Sequence, residues 1–133
     1  ILFDAPESFA RHIVKAVAEV TREPIVQLVY SHAHLDHIAG AGLIVKQLPN
    51  LTIVAEADTA AFLREKKDAR RPLPNSTFKD HRTVKLGTMT VELKKGQWHS
   101  PEGDLLIYLP GRKLLMAIDT LAAGHVPFMD FDL

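Results

Sequence analysis

The chain has 133 residues, no formal net charge, 47% hydrophobic and 24% charged residues, and no cysteine. That length suggests one domain of ordinary globular composition. The charge balance argues against nucleic acid and membrane partners, no apolar run is long enough to span a bilayer, and disulfides and thiolate ligands are excluded.

The opening "ILFD" reads as a short buried strand ending at Asp4. It starts as though within a longer domain and shows no signal-peptide pattern, so the compartment stays undecided between cytoplasm and periplasm. "APESFARHIVKAVAEVT" places Phe9, Ile13, Val14, Val17 and Val20 at helical spacing, with Pro6 or Ser8 at the start and Pro24 beyond the end. "PIVQLVYS" is a β-branched apolar run and predicts a buried strand. "AGAGLIVKQLP" predicts a short helix, "LTIVAE" a strand and "ADTAAFLREKK" a helix with Phe62 and Leu63 inward. Residues 68–80 contain proline and little periodicity and read as a surface loop. "RTVKLGTMTVELKKG" predicts a hairpin turning at Gly87, and "DLLIYLPGRKLLMAID" a second one turning at "PGRK". The tail "TLAAGHVPFMDFDL" has no clear period. The order of elements predicts an α/β fold, a mixed sheet with helices on one face.

The chemistry concentrates in "SHAHLDHIAGAG". His32, His34, Asp36 and His37 fall within six positions at the end of a predicted strand. Zinc takes imidazole nitrogen and carboxylate oxygen, usually four at a time. Residues two apart in an extended segment point the same way, so His32 and His34 reach one ion together. Asp36 and His37 lie where the chain turns and face a second. A histidine tag would be terminal and uninterrupted, which this stretch is not.

"SHAHLDHIAGAG" resembles the H-x-H-x-D-H signature of the metallo-β-lactamase superfamily, and most of the chain follows the same pattern. The resemblance implies an αββα sandwich, of which this chain covers residues 1–133 as a central portion, with the first strands and the C-terminal half missing. It implies that His99 in "WHSPEGD" completes the first metal site and that Asp119 in "LLMAIDT" bridges two metals. Asp4 would hold the metal loop through hydrogen bonds. One departure is visible: Glu102 precedes Gly103, where the family has its glycine earlier in the turn.

The implied cofactor is one or two Zn2+ ions, with Fe or Mn as alternatives. The implied reaction is hydrolysis of a small molecule, a metal-bound hydroxide attacking an ester, lactone, lactam or thioester carbonyl while Asp36 binds the second metal and carries the proton. The alternative is a metal-binding or interaction domain, or an inactive fragment, that keeps the motif without turnover. Among the remaining candidates, His125 in "AAGHVPF" reads as a substrate-side residue, Asp104 as the start of a strand and Trp98 as a packing residue. His12 and His81 read as solvent-facing. The apolar sheet face opposite the helices expects a partner, either the missing part of the domain or a second copy of the chain.

Overall fold

A computed structural model describes residues 1–121 and Gly124. The expectation for His125 therefore lies outside the described residues. Four short strands, β1 (Leu2–Phe3), β2 (Gln27–Val29), β3 (Thr52–Glu56) and β4 (Ser76–Phe78), form a parallel sheet in the order β1-β2-β3-β4. Parallel neighbours need crossovers. These are α1 (Glu7–Val20), the pair α2 (Leu35–Ile38) and α3 (Ala41–Gln47), and α4 (Ala57–Lys66).

The sheet is apolar on both faces because both are covered. Leu28, Tyr30, Ile53 and Ala55 join the core beneath the helices with Ala10, Ile44 and Leu63. Val29 and Val54, one residue out of phase, belong to a second core. In α1 the inward positions are Ala10, Ile13 and Val14. Phe9 and Val20, expected inward, are 64% and 83% exposed: Phe9 lies in the first turn of α1, where Ala10 takes the buried position, and Val20 is its last residue.

The second core is completed by an antiparallel meander, β5 (His81–Leu86), β6 (Met89–Gly96), β7 (Asp104–Leu109) and β8 (Leu114–Ala117), in sequence order. Val84, Val91, Leu93, Leu105 and Ile107 point inward, while Lys85, Lys94 and Tyr108 alternate outward. The hairpin turns fall where the sequence places them, at Gly87 with φ 56° and at Pro110–Arg112 followed by Lys113 with φ 51°.

The strands expected in one mixed sheet thus divide between two. Those from "PIVQLVYS" and "LTIVAE" pair in parallel, and those from "TMTVEL" and "DLLIYLP" pair antiparallel in a separate sheet. The physical reason is burial. A parallel sheet with helices on one face must cover the other, and the meander does so within the chain. The sheet face expected to await the missing part of the domain or a second copy is covered by the chain's own meander. Helix, sheet and sheet stack as three layers among the described residues. Lys95 on β6 joins the two sheets by pairing with Glu56, 3.5 Å away, and with Asp58 at the start of α4.

Residues 68–80 do not run wholly over the surface. Asn75 accepts a hydrogen bond from the Ile53 amide at 2.8 Å and donates to the Leu51 carbonyl at 3.3 Å, which steers the chain into β4. No helix among the described residues is long and apolar enough to cross a membrane.

Gly40 sets the distance between α1 and α3. A Cβ there would collide with the Ala10 methyl and come within 2.7 Å of the Ala5 carbonyl oxygen and 2.9 Å of that of Pro6. Gly40→Ala is expected to cost about 1–3 kcal/mol, as overpacking typically does. Gly111→Ala, with nothing within 4 Å of the added carbon, should change stability by less than about 0.5 kcal/mol. Chemical denaturation of the two variants measures both.

Candidate metal centre

Two sheets deliver the site. Beyond β2 the chain runs through Tyr30 and Ser31 into His32 and His34, and then turns through α2, which carries Asp36 and His37. The connection from β6 to β7 brings His99, and the residue pair after β8 brings Asp119. One ligand atom from each of His32, His34, His99 and Asp119 lies within 4.8 Å of the others. The His34 Nδ1 and His99 Nε2 atoms are 3.3 Å apart. Two nitrogens bound tetrahedrally to one zinc at about 2.0–2.1 Å would be separated by about 3.3–3.4 Å.

Around Asp119 the other groups arrange in order. Its Oδ2 is 2.8 Å from His37 Nε2, 3.6 Å from His32 Nε2 and 3.7 Å from His99 Nε2. Asp36 stands at the rim, its side chain 81% exposed and its Oδ2 3.6 Å from His37 Nε2. Thus four of the predicted ligands converge, His37 joins them through Asp119, and Asp36 lies outside the four-atom group. His12 and His81 face solvent.

Burial and the nearby His37, His34 and His99 push His32 from 6.5 down to about 3, so it is neutral at ordinary pH. Its tautomer follows from its neighbours. The buried Asp4 carboxylate accepts the Ser31 amide at 2.7 Å and the Ser31 hydroxyl at 2.6 Å. With its one proton given to Asp4, the Ser31 oxygen accepts from His32 Nδ1, 2.9 Å away. The lone pair of His32 is then on Nε2, a buried atom without a hydrogen-bond partner that faces the other ligands. That orphaned nitrogen, with the N/O donor set around it, fits a zinc-type ion. His37 is the opposite case. Its hydrogen bond to Asp4, at 3.3 Å, raises its pKa, Asp119 and Asp36 add to the rise, and burial opposes it.

His99 is held through its backbone. Asp104 Oδ2 accepts the amides of Trp98 at 3.0 Å, His99 at 2.8 Å and Ser100 at 3.1 Å. The Thr59 hydroxyl, at the start of α4, donates to the Glu102 carbonyl at 3.0 Å and pins the far side of the same turn. Asp104 does begin β7, as the sequence predicts, but its work for the site lies in those three bonds. Sequence reasoning also passed over Ser31; its signal was a hydroxyl placed directly before a ligand histidine. The Trp98 ring lies across Gly96, where a Cβ would overlap it, while the side chain stays 44% exposed, so the residue expected to pack is only partly covered.

A family model described as the metallo-beta-lactamase superfamily matches residues 3–133. No curated protein matches the chain by sequence. Among solved structures, the chain resembles a metallo-beta-lactamase from Pontibacter korlensis with TM-score 0.72 and 22% identity, covering 84% of this chain and 51% of that one. Metallo-beta-lactamase IND-7 matches with TM-score 0.70 and 18% identity over 85% of this chain and 50% of its own. MIM-1 from Novosphingobium pentaromativorans matches with TM-score 0.68 and 19% identity over 80% of this chain and 44% of its own. The chain spans about half the length of these structures, and identities this low show the shared fold alone.

The two histidine shifts give the metal-free chain a definite pH profile. His32, near 3 when folded and 6.5 when unfolded, takes up a proton on unfolding between those values, so its contribution is lost as pH falls through that window. His37, raised when folded, contributes stability that is full below 6.5 and lost as pH rises through its folded value. These two groups therefore favour greatest stability near 6.5. Denaturation of the metal-free chain across pH should show a shallower acid limb in His32→Gln, by up to about one proton. Equal acid limbs would contradict the assignment.

Proposed function

The chain belongs to the metallo-beta-lactamase superfamily, and on that premise we propose that it carries a zinc-dependent hydrolytic site for a small-molecule ester, lactone, lactam or thioester. The observation that carries the reading is the convergence of His32, His34, His99 and Asp119 within 4.8 Å around the unpaired, buried Nε2 of His32. A zinc ion held there would lower the pKa of a bound water towards about 7 and would polarise the substrate's carbonyl oxygen, making the carbonyl carbon more electrophilic.

The chain's own residues supply the rest. Asp4 and Ser31 hold His32 in the tautomer that presents Nε2. Asp104 fixes the turn that aims His99. Asp36, exposed and 3.6 Å from His37, would orient water and carry a proton to the leaving group. Asp36, His37 and Asp119 would serve a second ion only weakly unless a further ligand is supplied, since Asp36 stands apart from the gathered donors. Three imidazoles and a carboxylate also suit Fe or Mn.

A second reading, metal binding without turnover, is favoured by one observation. Among the described residues a group of four donors gathers only at the first site. The assay that separates the readings uses the purified chain, metal analysis and a panel of ester, lactone, lactam and thioester substrates. The hydrolase reading expects metal-dependent turnover. It also expects Asp36→Asn to keep the first-site metal but lose about a hundredfold or more in rate, the usual scale for a proton-transfer group. Bound metal with no turnover on any substrate supports the second reading. Equal turnover in Asp36→Asn removes Asp36 from the mechanism, and absence of bound metal overturns both.

A further inference from the structure

The stretch "DARRP", residues 68–72, carries a cation where a surface loop would not need one. Arg71 is only 8% exposed. Burying a guanidinium is costly unless its donors are used. Its Nη1 donates to the Ala33 carbonyl at 2.7 Å, its Nε is paired by charge but not hydrogen-bonded with Asp68 Oδ2 at 3.3 Å, and the guanidinium carbon stands 6.0 Å from the centre of the Phe62 ring. The residues on either side make contacts of their own. The Arg70 carbonyl accepts the Gly42 amide at 3.0 Å, and the Pro72 carbonyl accepts the Tyr30 hydroxyl at 3.0 Å.

Three consecutive residues thus grip positions 30, 33 and 42, spanning the whole segment that bears His32, His34, Asp36 and His37. The central grip has the most direct consequence. The Ala33 carbonyl belongs to the peptide plane that contains the His34 nitrogen, so fixing that oxygen fixes the rotation of the plane and the direction in which His34 leaves the backbone. Ala33 is fully buried and lies in a bend between β2 and α2, where no strand partner pairs its backbone.

We infer that Arg71 is a positioning residue of the metal centre, acting through the Ala33 carbonyl to set the angle between His32 and His34. The inference rests on the metal-binding reading above. It concerns metal affinity and geometry, not the reaction. Asp68 does not complicate it: Arg70 also pairs with that carboxylate, through Nε at 3.1 Å and Nη2 at 3.0 Å, so loss of Arg71 leaves it partnered.

The test is titration of the metal-free chain with cobalt(II), read by the visible spectrum, alongside circular dichroism of the metal-free form. The wild-type chain is expected to give a four-coordinate spectrum. Arg71→Met is expected to lose about 10–100-fold in affinity, the usual range for a group that orients a metal ligand, with an altered spectrum in the folded protein. Arg71→Lys keeps a buried cation, but one ammonium replaces a planar fork. It should fall between wild type and Arg71→Met, and it carries the test by itself if Arg71→Met does not fold. Arg70→Met, which removes an exposed cation but leaves the Arg70 carbonyl on Gly42, should titrate as wild type. Folded Arg71 variants with wild-type affinity and spectrum overturn the inference. So does a loss in Arg70→Met equal to that in Arg71→Met, which would mark general charge and not position. A wild-type chain that binds no cobalt removes the metal reading, and the inference with it.

Discussion

The carboxylate of Asp4 is the constraint from which the histidine-bearing end of the fold hangs. It sits at the end of β1 with φ 57°, a left-handed conformation that aspartate adopts more readily than most side chains. There it receives the amide and hydroxyl of Ser31 and the Nδ1 of His37. One buried group thereby sets the His32 tautomer, turns His37 towards Asp119 and ties β1 to the segment after β2. Asp119 also has a positive φ, 58°, so both carboxylates that organise the histidines occupy backbone conformations maintained by the structure around them.

The site needs both sheets. His32 and His34 come from the parallel sheet, while His99 and Asp119 come from the ends of strands in the antiparallel one. Their spacing is therefore set by the packing of Val29 and Val54 against Val84, Val91, Leu93, Leu105 and Ile107. A close-packed core transmits displacement with little loss, so the apolar centre acts as the ruler for the polar edge. The backbone anchors then refine the aim: Asp104 gathers three amides around His99, and Asp4 and Ser31 fix the ring of His32.

Much of this was legible in the sequence because it rests on local periodicity. The two-residue repeat of His32 and His34, the alternation along β5 to β7, the hairpin glycine at position 87 and the apolar run of β2 each follow from backbone geometry. Periodicity alone did not separate the strands into two sheets, since an apolar strand buried on both faces carries no mark of which neighbour it pairs with; the two-sheet sandwich came from the resemblance of the histidine motif, and the structure bears it out. Phe9 and Val20 kept the helical period yet lie exposed, because the small Ala10 takes the buried position of the first turn and Val20 ends the helix. The strand at Ser76–Phe78 was hidden by prolines nearby and is specified by the Asn75 side chain. Arg71 acts on a backbone carbonyl 38 positions away, and such a partner leaves no pattern at short range; Asp104 acts on amides four to six residues before it, but an aspartate opening a strand carries no mark of that second use.

The central claim is that His32, His34, His99 and Asp119 share one metal ion. Anomalous diffraction at the zinc edge, from crystals of the chain grown with zinc, tests it most directly. A peak is expected among these four side chains, with imidazole nitrogens about 2.0–2.1 Å from the metal. A zinc peak elsewhere, with His99 turned away from His32 and His34, would contradict it.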